Sequence, residues 1–264
     1  METVRFLDND GTFALNKPEN YSYLYFPIAQ ETGLKGAVTP NFGGDSKRNQ
    51  NAFLMEPVSV ENLHNNRAGR NFWCHVKNIG SWSAVGASAE EEAKKFTTNQ
   101  DQSELKAGFM WQTVTRKSAK YQLEAEVTTF APLEHAVELM QVKICNIGAD
   151  AQTITPIAAI PIYGRSADNI RDHRHVTSLL HRTSTTDYGV CVKPTMSFDE
   201  RGHQKNELTY YVCGVTGAGE KPADFYPTVD CYLGEGGSYT HPRAVLGNEA
   251  GIPAGSCLEG KEAV

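Results

Sequence analysis

The residue types best suited to chemistry gather in Gly164 to Arg182, GRSADNIRDHRHVTSLLHR. This segment holds four of the chain's eleven arginines and three of its eight histidines, in a protein of formal net charge -6. Arg165, Arg171, Arg174 and Arg182 are planar forks that suit vicinal hydroxyls, carboxylates or phosphate. Arg171 and Arg174 stand three apart and would point the same way from a helical turn. Such a run fits a meeting place for a polyhydroxylated or anionic ligand. It fits equally well a salt-bridged connection between strands, with Asp168 and Asp172 as internal partners. His173 and His175, two apart, would share one face of a strand. With His181 or His203 they could ligate a metal. With Glu200 or Glu207 they could supply the acid and base of a sugar epimerase. More simply, they hydrogen-bond the neighbouring aspartates. Trp73, Trp82 and Trp111 offer stacking surfaces for sugar rings, although all three lie in strand-like contexts where a core role is the commoner one. Asn65-Asn66-Arg67 and Asn71 form a second polar stretch that would border a site.

Composition narrows the classes. A sequence pI near 5.8 leaves no basic surplus to displace counterions from nucleic acid. No apolar run reaches membrane-spanning length. The start, METVRFLDNDG, meets acidic and turn residues too early for a secretory signal. Six cysteines are scattered without a CxxC pair, which fits a reduced, cytoplasmic protein better than a disulfide framework. There is no P-loop, no GxGxxG that opens a helix after a strand, and no GxSxG.

The elements that must position these residues are mostly strands. In Leu123–Phe130 the residues Leu123, Ala125 and Val127 fall on one face and Glu124, Glu126 and Thr128 on the other, as in a half-buried strand. Glu138–Cys145 alternates in the same way through Met140, Val142 and Ile144. The turn residues Asn146 to Asp150 and the apolar run Thr153–Ile162 follow, so the two runs suggest a hairpin. Tyr21–Pro27, Phe72–Val76 and Glu207–Val215 are further strand candidates. One helix is convincing: Ser88 caps AEEEAKKF, and Glu91 completes a capping box. The pattern predicts an all-β protein, a large antiparallel β-sandwich with one or two short helices, as a single domain over residues 1–264. From His241 to Val264 no strand long enough to close a sheet is visible, which suggests either a fragment of a longer protein or a disordered terminus.

Three stretches carry a resemblance: FLDNDGTFALNKPENYSYLYFPIA (Phe6–Ala29), PVSVENLHNNRAGRNFWC (Pro57–Cys74) and IPIYGRSADNIRDHRHVTSLLHR (Ile160–Arg182). Together they resemble the N-terminal domain of the family 94 glycoside phosphorylases, the cellobiose phosphorylase group once filed as family 36 glycosyltransferases. Within that group the chain most resembles the laminaribiose phosphorylase branch. The resemblance implies a β-supersandwich related to galactose mutarotase, followed in the parent enzyme by a helical linker, a catalytic (α/α)6 barrel and a small β-domain. It implies inverting phosphorolysis of a β-glucosyl disaccharide or oligosaccharide, with inorganic phosphate as co-substrate and no cofactor. The general acid and the phosphate site belong to the barrel, so the chain alone is expected to be inactive.

In the family's homodimer this domain helps to form the partner subunit's acceptor subsite through an Asn-x-x-Arg motif. Registered here, the arginine falls on Arg174 and the asparagine on Arg171, which departs from the motif. The other register keeps Asn169 but puts Asp172 in place of the cation. The resemblance therefore points to Arg174 first, with Arg171, Asn169 and His175 beside it, and to no metal, nucleic-acid or membrane partner. Readings from other classes are a stand-alone carbohydrate-binding module and an aldose epimerase, the latter detectable by faster glucose mutarotation.

Overall fold

The computed structural model describes residues 4–21, 24–58, 69–170, 178–199 and 202–264, and within them the chain is built from antiparallel sheets. The largest sheet runs β1 (Arg5–Phe6), β2 (Phe13–Asn16), β9 (Gln102–Gly108), β10 (Trp111–Ser118), β11 (Leu123–Phe130) and β12 (Leu139–Asn146), in that order. The period-two pattern predicted for β11 holds: Leu123, Ala125 and Val127 are fully buried while Glu126 faces solvent. Their core is completed by two other sheets. One is β3 (Phe26–Ala29), β4 (Lys35–Val38), β5 (Ser46–Asn49) and β6 (Ala52–Met55). The other has the order β13 (Ile154–Ala159), β7 (Asn71–Val76), β8 (Gly80–Ser83). Phe26, Ile28 and Val38 from the first and Cys74, Val76 and Trp82 from the second meet Leu105, Val114 and Leu123 of the six-stranded sheet. The expected Gly43-Gly44-Asp45 turn joins β4 to β5, and Gly44 sits at φ +117, where its missing side chain also avoids the Ala37 carbonyl.

β7 is buried on both faces. Cys74 and Val76 enter the core just described. Trp73 enters a second one with Tyr232, Val245 and Val264, and its Nε1 donates to Tyr232 Oη at 2.9 Å. Burial alone pushes the Cys74 thiol up to about 12, so it is an inert core group. A third core, with Val190, Val192, Tyr210, Phe225 and Ala263, lies under the sheet β18 (Tyr210–Cys213), β15 (Gly189–Val192), β14 (Arg182–Thr185), β19 (Cys257–Glu259). β16 (Met196–Asp199) and β17 (Gly202–Lys205) form a separate hairpin.

Three expectations need correction. β12 and β13 are not a hairpin: β12 pairs with β11 and β13 with β7. Residues 147–153 carry the chain from one sheet to another, so Val142 and Ile154 approach the same core from different sheets. Alternation alone cannot distinguish that from a hairpin. Next, the stretch from His241 does contain a strand. Three residues of β19 pair with β14, Ala263 bridges Ile162 and Thr228, and Val264 is 9% exposed beside Trp73. A strand that short shows no periodicity. Finally, the described residues hold three short α-helices rather than one or two: α1 (Ala89–Ala93), α2 (Val229–Leu233) and α3 (Arg243–Leu246). Ser88 caps α1 as predicted, accepting from Glu91 N at 3.2 Å. The reciprocal half of the capping box is replaced, because the Glu91 carboxylate takes Asp101 N and Lys94 Nζ instead.

Candidate functional site

The approach to the Arg/His segment is fixed residue by residue. Gly164 is at φ +63, a conformation that favours glycine, and a Cβ there would lie only 3.4 Å from Tyr210 and 3.6 Å from His181 and Val192. Its N–H donates to Phe53 O at 3.0 Å, and Phe53 N donates to Arg165 O at 2.9 Å, which ties the chain to β6. Ala167 N reaches Gln50 O at 2.9 Å. A 3-10 turn, Ala167–Ile170, follows. Asn169 is buried, and its Oδ1 accepts from Ser166 Oγ at 3.0 Å. On the far side Ser178 is also buried, and its carbonyl accepts from His181 N at 2.9 Å. Arg171, Asp172, His173, Arg174 and His175, between these two anchors, lie outside the described residues, as do Asn65, Asn66, Arg67 and Glu200.

Arg165 and His181 form the centre of what is described. The Arg165 guanidinium donates from Nε to His181 Nε2 at 3.3 Å and from Nη2 to Glu262 Oε1 at 3.3 Å, and lies over the Tyr163 ring at 4.9 Å. Because His181 Nε2 accepts, the proton of the neutral ring sits on Nδ1. His181 is fully buried, and its Nδ1 has no partner in good geometry. Burial first, then the Arg165 charge, drives its pKa down to about 4, against the Glu262 charge and the Lys261 carbonyl. A shielded, neutral imidazole of this kind is neither a solvent-facing base nor a metal ligand. His203 is exposed on β17 and Glu207 is exposed in the loop after it. Among the described residues no three His, Cys, Asp or Glu side chains are placed to hold a metal ion.

Two of the four arginines are therefore engaged by the fold itself, Arg165 in the interior and Arg182 at the surface. Arg182 donates Nη1 to the carbonyls of Leu179 and His181, each at 3.0 Å, and its Nε lies 3.4 Å from Glu259 Oε1. A small cavity of about 10 Å3 lies between Arg165, Asn169, His181 and Met196. Another of about 10 Å3 lies on the Glu56, Tyr239 and Glu262 side of Arg165. Each has the room one water needs, and no sugar ring enters either. Chemically, this region can anchor the chain on both sides of residues 171–177. Glu262 was not foreseen, since nothing in the sequence links it to Arg165 across 97 positions. Asn71, read as a site-bordering residue, is instead a buried strand residue whose Nδ2 donates to Ala87 O at 2.9 Å and whose Oδ1 accepts from Ser83 Oγ. Trp73 and Trp82 are core residues, and Trp111 is half-buried.

Layered antiparallel sheets around several cores, with a few short helices, make an all-β supersandwich. Residues 36–259 match the supersandwich domain of glycosyl hydrolase 94, and the chain belongs to that family. No curated protein matches the chain. No helix among the described residues is long and apolar enough to cross a membrane.

Proposed function

We propose that this supersandwich serves as the N-terminal domain of an inverting β-glucoside phosphorylase of the laminaribiose phosphorylase branch. Its catalytic (α/α)6 barrel would lie in a further part of that protein. In the full enzyme, phosphate attacks the anomeric carbon of a β-glucosyl disaccharide or oligosaccharide while a barrel carboxylic acid protonates the leaving oxygen. The products are α-glucose 1-phosphate and a shortened sugar. The supersandwich would act in a cytoplasmic homodimer, offering Arg174, with Arg171, Asn169 and His175, to the acceptor sugar in the partner subunit's active site. The unpaired state of all six cysteines supports a reducing compartment.

One observation carries this reading. Within a chain of this family, the segment that carries Arg171 and Arg174 in its sequence is flanked by buried anchors on both sides: Arg165 and Asn169 before it, Ser178 and His181 after it. Anchors of that kind reduce the ordering entropy a ligand must meet when it binds the residues between them. The test is phosphate release from α-glucose 1-phosphate with glucose as acceptor, run on the full-length protein. Arg174→Ala should raise the acceptor KM about tenfold or more, as expected for a lost charged hydrogen bond, and leave the KM for glucose 1-phosphate alone. An unchanged acceptor KM would remove Arg174 from the site.

A further inference from the structure

The solvent face of the six-stranded sheet is ordered in rows. Register places Gly108, Trp111, Phe130 and Leu139 side by side across β9 to β12. The next row is Lys106, Thr113, Thr128 and Gln141, and the one after is Glu104, Thr115, Glu126 and Lys143. Directly opposite residues in an antiparallel sheet share a face, so an apolar strip one residue deep runs beside a row of hydroxyl, amide and amine groups. The Trp111 indole lies across Gly108: a Cβ at that glycine would be 2.7 Å from Nε1 and 2.9 Å from Cε2. Covering a strand glycine accounts for that position. It does not account for the continuation of the strip through Phe130, half-buried, and Leu139, 39% exposed. Trp73 and Trp82 donate their N–H groups to Tyr232 and Asp101, whereas among the described residues the Trp111 N–H has no protein acceptor. At the hairpin tip beside it, Phe109 is 84% exposed and Met110 is held at φ +62, a conformation bulky residues rarely adopt.

The geometry points to a sugar-binding platform on this face, separate from the Arg/His segment, that takes pyranose rings; the choice of a short β-glucan as their source rests on the function proposed above. A pyranose presents a flat face of C–H groups and a rim of hydroxyls, and the two rows present the complement. The indole and phenyl rings meet the C–H face. Thr113 and Thr128, whose Oγ1 atoms are 2.8 Å apart, together with Gln141 and Lys106, meet the rim. Strand spacing of about 4.8 Å makes the strip from Trp111 to Leu139 roughly 10 Å long, enough for more than one ring. A protein partner fits less well. A stable protein interface needs about 800 Å2 on each side, and an apolar strip one residue deep, bordered directly by Lys106, Thr113, Thr128 and Gln141, is narrow for such a centre.

The experiment titrates the chain with laminaritetraose and cellotetraose, following tryptophan fluorescence and heat. Because Trp73 and Trp82 are buried, a spectral shift on binding reports Trp111. At least one of the two sugars should bind saturably with such a shift. Trp111→Ala should weaken it about tenfold, the scale of one aromatic contact, together with a lower thermal midpoint from uncovering Gly108. Thr128→Val, which keeps the side-chain shape, should weaken it about threefold by removing one neutral hydrogen bond, and it remains informative if the alanine variant fails to fold. Wild-type affinity in Trp111→Ala or in Thr128→Val overturns the proposal. So does the absence of saturable binding by either sugar, including the case where sedimentation shows Trp111-dependent self-association instead. Arg174 is untouched throughout, so the outcome is independent of the acceptor-subsite reading.

Discussion

Two buried arginines hold two regions of this molecule, and they are satisfied in different ways. Arg70, just before β7, pairs through Nε and Nη2 with Glu138, whose other contact is 2.9 Å, and donates further to the carbonyls of Phe42, Gly44 and Asp45. Its side chain is 2% exposed and that of Glu138 is 9% exposed. It therefore ties the start of β12 and the β4–β5 turn to the sandwich. Arg165 instead donates to a neutral histidine and to a carboxylate that is 26% exposed. The first cluster is closed, with a carboxylate and three carbonyls around one guanidinium. The second is wetter, borders two water-sized cavities and flanks the segment proposed to meet the sugar. Burial of a charge is tolerated only where its partners are complete. The difference therefore separates a closed structural clamp from a more exposed support beside the segment proposed to meet the sugar.

The largest effect should come from breaking the closed cluster. Arg70→Ala leaves Glu138 buried without a cation and three carbonyls without a donor, and should destabilise the fold by about 3–5 kcal/mol in urea unfolding. Replacing the pair together, Arg70→Met with Glu138→Leu, should recover more than half of that, because the unmatched charge is gone. Arg165→Ala should cost less, about 2 kcal/mol, since water can take over part of the Glu262 solvation while His181 Nε2 loses its donor. If Arg165→Ala proved the more damaging of the two, the contrast between clamp and support would fail.

How much of this could be read in the sequence depends on how local each arrangement is. β11 was legible because Leu123, Ala125 and Val127 alternate with polar residues within a single strand. The Ser88 cap was legible because donor and acceptor are three residues apart. The Arg165–Glu262 contact and the pairing of β14 with β19 were not, because they join segments whose proximity only the folded sheet creates. The role of Trp111 was hidden for another reason. The inward face of β10 carries Gln112, which is fully buried and donates to Thr39 O at 2.9 Å, and Arg116, which is 2% exposed. Polar residues inside and an indole outside blur the alternation that would have shown which face Trp111 takes. The family resemblance reached the fold, while the geometry of Arg171 and Arg174 lies outside the described residues.

The third effect sharpens the comparison through pH. His181 has its pKa lowered from 6.5 to about 4 in the folded chain, so the unfolded chain takes up a proton first as pH falls. The stability this neutral ring allows is complete above about pH 6.5 and is lost progressively down to about pH 4, at a rate of at most about 1.4 kcal/mol per pH unit. His181→Gln, which cannot be protonated, should flatten the stability profile over that window relative to wild type, with the carboxylates of both proteins titrating alike. Profiles that stay parallel between pH 4 and 6.5 would mean that burial and the Arg165 charge do not hold the ring neutral.

The smallest effect compares two helix caps, one from each region. Ser88 accepts from Glu91 N at 3.2 Å at the start of α1, and Thr228 accepts from Cys231 N at 3.3 Å at the start of α2. Both are buried, and both caps have the same extended backbone. The intrinsic capping contribution should therefore match, about 1 kcal/mol for each change to alanine. Thr228 has a second role in its backbone, which bridges Ala263 beside Glu262. Because that bridge is made by main-chain atoms, Thr228→Ala should leave it in place, and Thr228→Ser should restore the cap. Calorimetric melts of the three variants decide the point. A Thr228→Ala loss far above that of Ser88→Ala, not rescued by serine, would show that the threonine methyl packing, rather than the cap, registers the chain end against the Arg165 cluster.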